Sequence, residues 1–323
     1  MMKKQETVAG IDIGGTNTAW GITDLSGKII SKSTFKTKSQ ATFAGYTGEL
    51  AATILKEADR LGVELTGVGI GAPNANYYNG NIELAANLPW KSKLPLRKVM
   101  EEKTGVKVTV TNDANAAALG EMLFGAARGM KNFIMLTLGT GVGSGIVTDG
   151  KLIYGHTGYA AELGHLIMVA GGRECGCGRE GCLETYASAV GIVRTTSQLL
   201  AEMRAESSLR NYPPGELNSY MIAESAAKGD PIALEAFNFT AEMLAIAISN
   251  AVVFTSPEAI ILSGGLARAG KLLTDPLEKH MNEYTMPVFR DTFKIIPTAL
   301  PESDAAILGA AALAISETGK NGN

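Results

Sequence analysis

The 323-residue sequence contains only three cysteines, no surplus of basic residues and no long hydrophobic segment. Its 29 Lys and Arg against 32 Asp and Glu give a net charge of −3, so it lacks the basic field that nucleic-acid binding requires. The longest apolar run, around residues 305–315, is too short to span a bilayer, and the N-terminus has no signal-peptide pattern. We therefore expect a soluble cytoplasmic chain with no nucleic-acid partner and no membrane partner.

The three cysteines are concentrated in one short segment, ECGCGREGC (174–182). Because thiols stay reduced in the cytosol, this clustering favours metal binding over disulfides. A histidine precedes the segment in AELGH (161–165), and the interspersed glycines would let the chain wrap around an ion. One His and three Cys fit a closed tetrahedral zinc site, with His165, Cys175, Cys177 and Cys182 as ligands. The alternative is a loop of reduced cysteines with an unrelated histidine.

A long-range repeat indicates the fold. Residues 11–24, IDIGGTNTAWGITD, align without a gap on residues 136–149, LTLGTGVGSGIVTD. Each block reads as an apolar strand, a glycine-rich turn and a second strand, and each opens a run of alternating strand and helix patterns. Two such blocks in register predict a duplicated α/β domain.

Each half ends in a helix rich in Ala and Gly, at about 114–127 and 304–315. Small residues allow two helix backbones to approach closely, so we expect these helices near the seam between the domains, although Ala also simply favours helix. The expected division is a small domain over residues 1–113, completed by a C-terminal helix over 303–323, and a large domain over 114–302 that contains the zinc site.

The glycine-rich turns of the repeat are candidate phosphate-binding loops. Glycines tolerate positive φ and can present consecutive N–H groups to an anion, while an acid at a strand end can hold Mg²⁺ beside phosphate oxygens. One such turn alone could equally be an ordinary hairpin, but two in the repeat favour ATP binding. The candidate residues for ATP and Mg²⁺ are Asp12, Gly14, Gly15, Thr16, Gly139, Thr140 and Gly141.

A third motif, TNDANAAALGE (111–121), sets Asn112 and Asp113 between a strand and a helix. Taken alone, Asp113 could merely cap that helix.

Together, DIGGT, TNDANAAALGE, LGTGVGSG, ELGH, CGCGREGCLE and LSGG resemble the ROK family of sugar kinases and repressors, within the actin-like ATPase and hexokinase superfamily. The resemblance covers nearly the whole chain. It implies two duplicated actin-like (ribonuclease H-like) α/β domains around an interdomain cleft, with the glycines of LSGG, Gly264 and Gly265, also binding ATP. It further implies that Asp113 is the general base and that the sugar hydroxyls are bound by Asn112, Asp113, Glu162, His165 and Glu184.

The resemblance implies an ATP-dependent hexose kinase, and we expect glucose as the substrate, phosphorylated at its 6-hydroxyl. Kinases for N-acetylmannosamine, N-acetylglucosamine, fructose or allose, and a sugar-sensing regulator without catalysis, remain open as alternatives. Repressors of this family carry an extra N-terminal DNA-binding region, for which we expect no room, since about six residues precede the first strand. The general frequency of two-fold assemblies favours a homodimer.

Overall fold

The computed structural model describes residues 4–83, 88–90, 93–213 and 215–319, which form two compact units. The first unit comprises the chain up to Met130, the segment Lys151–Ala160 and the chain from Thr298 onward. The second unit comprises Lys131–Gly150 and Ala161–Pro297. Each unit is built around its own β-sheet.

The strands, in chain order, are β1 (Glu6–Ile13), β2 (Asn17–Asp24), β3 (Ile29–Lys36), β4 (Glu64–Gly71), β5 (Val108–Thr111), β6 (Phe133–Leu138), β7 (Val142–Thr148), β8 (Lys151–Leu152), β9 (Ala259–Ser263) and β10 (Lys294–Pro297). The α-helices are α1 (Phe43–Leu61), α2 (Leu96–Thr104), α3 (Asp113–Phe124), α4 (Glu184–Ala187), α5 (Ala189–Glu202), α6 (Ser219–Ala227), α7 (Pro231–Thr255), α8 (Lys271–Tyr284) and α9 (Glu302–Thr318).

The two sheets have the same strand order. In the first unit the order is β3-β2-β1-β4-β5, where β1 to β3 form an antiparallel meander and β4 and β5 run parallel to β1. In the second unit β7-β6-β9-β10 repeats the order β2-β1-β4-β5, with β6 and β7 antiparallel and β9 and β10 parallel to β6. The predicted α/β class is therefore confirmed, and the repeated blocks of the sequence are the hairpins β1–β2 and β6–β7.

The centre of the first unit's sheet is buried, because the side chains of β1 and of most of β4 are buried on both faces and α1 is amphipathic. Helix α1 contributes Leu50 and Ile54 to a core that also contains Ile11, Ile22 and Ile70, all fully buried. Helix α1 begins where Thr42 caps it by accepting a hydrogen bond from the Gly45 N–H, and it ends at Gly62 in the left-handed conformation.

Helices α3 and α9, the two Ala- and Gly-rich helices, cross each other inside the first unit. A Cβ atom placed on Gly120 would lie 2.9 Å from the Cα of Gly309, so the two backbones are nearly in contact. The expected domain boundary after residue 113 thus differs from the observed units, because α3 packs on α9 and stays in the first unit. Residues 1–3 and 320–323, at the ends of the expected ranges, lie outside the described residues.

The segment Lys151–Ala160 also lies in the first unit, through contacts with residues far away in sequence. Tyr154 stacks on Tyr77 with ring centroids 3.8 Å apart, and Asn76 donates a hydrogen bond to the Thr157 carbonyl at 2.7 Å.

Helix α7 is long and apolar enough to cross a membrane by length and composition alone. Most of its residues are buried inside the second unit, where it packs against α8 and α5, as expected for the core helix of a folded domain.

Candidate functional site

The two acidic residues of the candidate site, Asp12 and Asp113, lie where the parallel strands of the first unit end. Asp12 near the end of β1 is in register with Gly71 of β4, and Gly71 is in register with Thr111 of β5. Asp113 follows two residues after Thr111. A Cβ atom on Gly71 would lie 3.9 Å from Asp12 Oδ1 and 3.6 Å from the Asp113 Cα, so the two acids are close neighbours. Ligands bind at this edge of open α/β sheets in general.

Asn112, and not Asp113, caps helix α3. The Asn112 side chain accepts a hydrogen bond from the Asn115 N–H at 2.7 Å, while Asp113 is the first residue of the helix. One oxygen of Asp113 accepts the Ala114 N–H at 2.9 Å, and its side chain is accessible to solvent. The alternative in which Asp113 merely caps the helix is therefore wrong.

The surroundings of both carboxyl groups raise their pKa values. Burial, and then the negative charge of Asp113, raise the pKa of Asp12 from 3.8 to about 7. Burial also raises the pKa of Asp113, because protein atoms surround its carboxyl closely although solvent still reaches it, and the N–H groups of Ala114 and Asp113 itself reduce this shift. A pair of carboxyls of this kind favours either a proton or a cation.

The first glycine-rich turn joins β1 to β2 as a tight hairpin. Gly14 donates its N–H to the Asn17 carbonyl at 3.0 Å, while Gly15 is partly exposed and Thr16 fully exposed. The expectation that these glycines serve a positive φ is wrong for Gly14, which lies outside the left-handed region. Its lack of a side chain instead leaves the turn open to an approaching ligand.

In the second unit, two glycine turns lie next to each other. Gly139, Thr140 and Gly141 connect β6 to β7, and Gly264 and Gly265 follow β9, the parallel neighbour of β6. The N–H of Leu266 donates to the Leu138 carbonyl at 3.1 Å, which fixes one turn against the other. Gly264 has φ +92°, a conformation that favours glycine.

The predicted metal ligands converge in the second unit. The ligand atoms of His165, Cys175, Cys177 and Cys182 all lie within 4.8 Å of one another. Cys175 Sγ is 3.6 Å from His165 Nδ1, and Cys177 Sγ is 3.7 Å from Cys182 Sγ. A zinc–sulfur bond of about 2.3 Å gives a tetrahedron with edges of about 3.8 Å, so these separations fit a metal ion at the centre.

The loop that carries the cysteines is shaped by its own backbone. The N–H of Cys175 donates to the Arg179 carbonyl at 2.9 Å, and Gly178, at φ +86°, donates to the Cys175 carbonyl at 3.0 Å. Burial raises the pKa of the Cys177 thiol, but hydrogen bonds from the backbone and side chain of Arg179 outweigh it and lower that pKa to about 6. A thiol that ionises readily is a good metal ligand.

Arg179 is a contributor that the motif reasoning missed. Its side chain also donates to the His165 carbonyl at 2.8 Å, so it links the histidine to the cysteine loop. The sequence could have indicated this role, because Arg179 lies between cysteines in ECGCGREGC and a basic residue there would stabilise thiolates.

The remaining predicted sugar ligands lie around this cluster. His165 ends a short 3-10 helix, Leu163–His165, that follows Glu162, and Glu184 begins α4 immediately after the cysteine loop. Glu184 Oε1 accepts a hydrogen bond from Cys175 Sγ at 3.0 Å and lies 3.9 Å from His165 Nδ1. The predicted residues thus form two groups, with Asp12, Asn112, Asp113 and the first turn in one unit, and the other turns and the cysteine cluster in the other.

Comparison with known proteins identifies the family. The model of the ROK family matches residues 8–317. A glucokinase of Thermotoga maritima is 37% identical over 306 residues, covering 94% of this chain and 96% of that protein. The crystal structure of a ROK family glucokinase from Streptomyces griseus in complex with glucose and AMPPNP is 33% identical with a TM-score of 0.79, covering 96% of this chain and 99% of that one.

A xylose repressor of Caldicellulosiruptor bescii is 30% identical over 270 residues, covering 83% of this chain and 67% of the repressor. Proteins named as glucokinases and as repressors are therefore both among the relatives of this chain. The family and the two-sheet fold predicted from those motifs are confirmed. The chain belongs to the ROK family.

Proposed function

We propose that this protein is an ATP-dependent hexose kinase that phosphorylates glucose at its 6-hydroxyl. The observation that carries the proposal is the full-length similarity to glucokinases, one of which binds glucose and AMPPNP in its crystal structure. The site residues that such a reaction needs are all present in this chain.

Asp113 is the proposed general base. The Ala114 N–H occupies one of its oxygens, which orients the carboxylate and leaves the other oxygen for the sugar hydroxyl. The hydroxyl proton passes to Asp113 as the hydroxyl oxygen bonds to the γ-phosphorus and the bond from that phosphorus to the departing ADP breaks. The raised pKa of Asp113 makes it a stronger base than an ordinary carboxylate.

The other proposed sugar ligands are Asn112, Glu162, His165 and Glu184. His165 directs Nδ1 toward the thiols, so its Nε2 is the nitrogen that would bind a sugar hydroxyl. This division of the two ring nitrogens is the arrangement in which a bound metal would fix the histidine tautomer.

The proposed phosphate contacts are the backbone N–H groups of the glycine turns, contributed by Gly14, Gly15, Thr16, Gly139, Thr140, Gly141, Gly264 and Gly265. Asp12 would hold Mg²⁺, which would neutralise charge on the phosphates. The donor set fits a cation, because burial and the neighbouring Asp113 charge make the Asp12 carboxylate costly without one.

Zn²⁺ is the proposed occupant of the cysteine cluster. One His and three Cys would fill a tetrahedral ion, leaving no open position for water or sugar, so the role is structural. The ion would hold the loop that carries His165 and leads into Glu184. We further propose a cytoplasmic location, where the thiols stay reduced, and a homodimer.

Incubation of purified protein with ATP, Mg²⁺ and a panel of hexoses, with ADP release as readout, tests the proposal. The expected result is turnover that is highest with glucose. Highest turnover with N-acetylmannosamine or another sugar of the panel would correct the substrate. Binding of a sugar without ADP release would instead support a non-catalytic regulator, the alternative that the xylose repressor match favours.

A further inference from the structure

A buried network of three hydroxyl groups is hydrogen-bonded to the first glycine turn. Thr37, just after β3, donates from Oγ1 to the Gly14 carbonyl at 2.6 Å. Thr18 Oγ1 lies 3.1 Å from Thr37 Oγ1 and 2.6 Å from the Tyr46 hydroxyl. The side chains of Thr18, Thr37 and Tyr46 are all fully buried.

Each hydroxyl has one proton to donate, so the donor and acceptor of every hydrogen bond in this network can be assigned. The Gly14 carbonyl can only accept, so the one hydroxyl proton of Thr37 is used there. Thr18 must then donate to Thr37, and Tyr46 must donate to Thr18. Tyr46 can serve as that donor throughout the neutral range, because burial raises its pKa.

Thr37 contacts the turn twice. Besides its hydroxyl bond to Gly14, its backbone N–H donates to the Thr16 carbonyl at 3.0 Å. One residue therefore binds two carbonyls of the turn, and its buried hydroxyl holds the Gly14 carbonyl toward the interior of the unit. In a trans peptide the C=O and the N–H point in opposite directions, and the described chain contains no cis peptide bonds. With the Gly14 carbonyl held inward, the N–H of Gly15 in the same peptide must point outward.

The second glycine turn supplies an internal comparison. The repeat of the sequence aligns Gly14 with Gly139, and the Gly139 carbonyl also accepts a hydrogen bond, from the Ala189 N–H at 2.8 Å. The equivalent carbonyl is thus restrained in both turns, by a side chain in the first and by the backbone in the second. The first restraint can be removed by changing one side chain without altering the backbone.

We propose that Thr37 is a positioning residue for the nucleotide: it sets the Gly14–Gly15 peptide so that the Gly15 N–H faces a phosphate of ATP. This inference rests on the proposed kinase function. It assigns a role to a residue outside the glycine motif, and it predicts that loss of the Thr37 hydroxyl weakens nucleotide binding specifically.

The test compares Thr37→Val, which removes the hydroxyl at nearly constant volume, with a matched control. Thr7→Val is suitable, because Thr7 is equally buried and also donates to a backbone carbonyl, that of Glu64, at 3.0 Å. It lies in β1 roughly 20 Å from the turn, at about 3.3 Å per residue. Both variants lose one buried hydroxyl bond, so both should lose thermal stability.

For Thr37→Val we expect the KM for ATP and the Kd for AMPPNP to rise roughly threefold to tenfold, the usual effect of one hydrogen bond. The KM for glucose should stay within about twofold. Thr7→Val should change neither constant, and Thr37→Ser, which keeps the hydroxyl, should restore ATP binding although it loses a methyl group. If the valine variant does not fold, Thr37→Ala should give the same rise.

Unchanged ATP constants in a folded Thr37→Val or Thr37→Ala variant, or an equal rise in Thr7→Val, would overturn the inference while leaving the kinase function intact. Failure of the proposed function is distinguishable, since it appears in the wild-type protein before any variant is made. A wild-type protein that binds AMPPNP without transferring phosphate still tests Thr37 through the Kd. A wild-type protein that binds no nucleotide overturns both proposals.

Discussion

Replacing Asp12 by Asn should make the protein more stable and less active at the same time. Asn has the shape of Asp but carries no charge, so it removes the cost of a buried carboxylate. That cost follows from the rise of the Asp12 pKa from 3.8 to about 7 through burial and the charge of Asp113. A shift of this size corresponds to about 4 kcal/mol of free energy of unfolding at most.

The sign of the pH dependence follows from proton counting. A carboxyl whose pKa is higher in the folded state binds more protons when folded, so its contribution to stability falls as the pH rises from about 4 to about 7. Above pH 7 the full cost is present. Since relaxation around the charge recovers part of it, we expect Asp12→Asn to gain roughly 2 kcal/mol there, or a Tm increase of roughly 5 °C. Near pH 4 the gain should vanish.

The assay is thermal unfolding of wild type and variant between about pH 5 and pH 8.5, followed by ADP release at the higher pH. Asp24→Asn is a control of opposite sign in the same unit. Burial raises the pKa of Asp24, but hydrogen bonds from Ser26 and from the Lys28 N–H outweigh it and lower that pKa. The ionised Asp24 already stabilises the wild type fully above the ordinary carboxyl pKa, so Asp24→Asn should be less stable than the wild type by a constant amount across this pH range, and its activity should persist.

The same thermal unfolding experiment can be repeated with Mg²⁺ added in the absence of nucleotide. If Asp12 holds the cation, Mg²⁺ should raise the Tm of the wild-type protein above pH 7 more than that of Asp12→Asn. The reasoning would be refuted if the Tm difference between wild type and variant were the same at all pH values, or if the wild type were the more stable protein at high pH.

Three further substitutions test other parts of the proposed site. Asp113→Asn keeps an oxygen for the Ala114 N–H but removes the base, so kcat should fall roughly 10²-fold or more while the KM for glucose changes far less; near wild-type turnover would contradict the assignment. Gly14→Val would place a Cβ 3.0 Å from the Asn17 carbonyl oxygen and add two methyl groups at the turn. The KM for ATP should therefore rise while sugar binding persists. An unchanged KM for ATP would count against the phosphate contact. Cys177→Ser should lower the zinc content measured by metal analysis and should raise the KM for glucose more than the KM for ATP. An unchanged KM for glucose would mean that the cluster does not position His165.

Local patterns predicted the repeat and named the residues of the candidate site. The helix expected over 304–315 extends from Glu302 to Thr318, and the helix expected over 114–127 spans Asp113–Phe124. These elements are readable because apolar periodicity and flanking glycines or prolines depend only on neighbouring residues. The cysteine cluster was predictable for a similar reason, since its ligands lie within 18 consecutive positions, 165 to 182.

Features that depend on distant contacts were not predictable. Helix α8 contains Pro276 in its interior, where a proline normally ends or kinks a helix, so the local signals conflict with the observed helix. The segment Lys151–Ala160 belongs to the first unit because Tyr154 meets Tyr77, a pairing that no local pattern encodes. The role inferred for Thr37 has the same origin: its partner Gly14 is 23 positions away, and an isolated Thr after a strand carries no motif.

Glu184 could be predicted as a site residue from its motif, but its contacts with other parts of the site could not. Its Oε1 meets Cys175 Sγ at 3.0 Å, and a Cβ atom on Gly141 would lie 2.5 Å from its Oε2. One carboxylate therefore contacts both the cysteine cluster and the second glycine turn. Gly141 lies outside the left-handed region of φ, so what requires glycine there is the space that Glu184 occupies. Any side chain at residue 141 would displace the Glu184 carboxylate that also accepts a hydrogen bond from Cys175, so substitutions at this glycine and in the cluster should have coupled, non-additive effects.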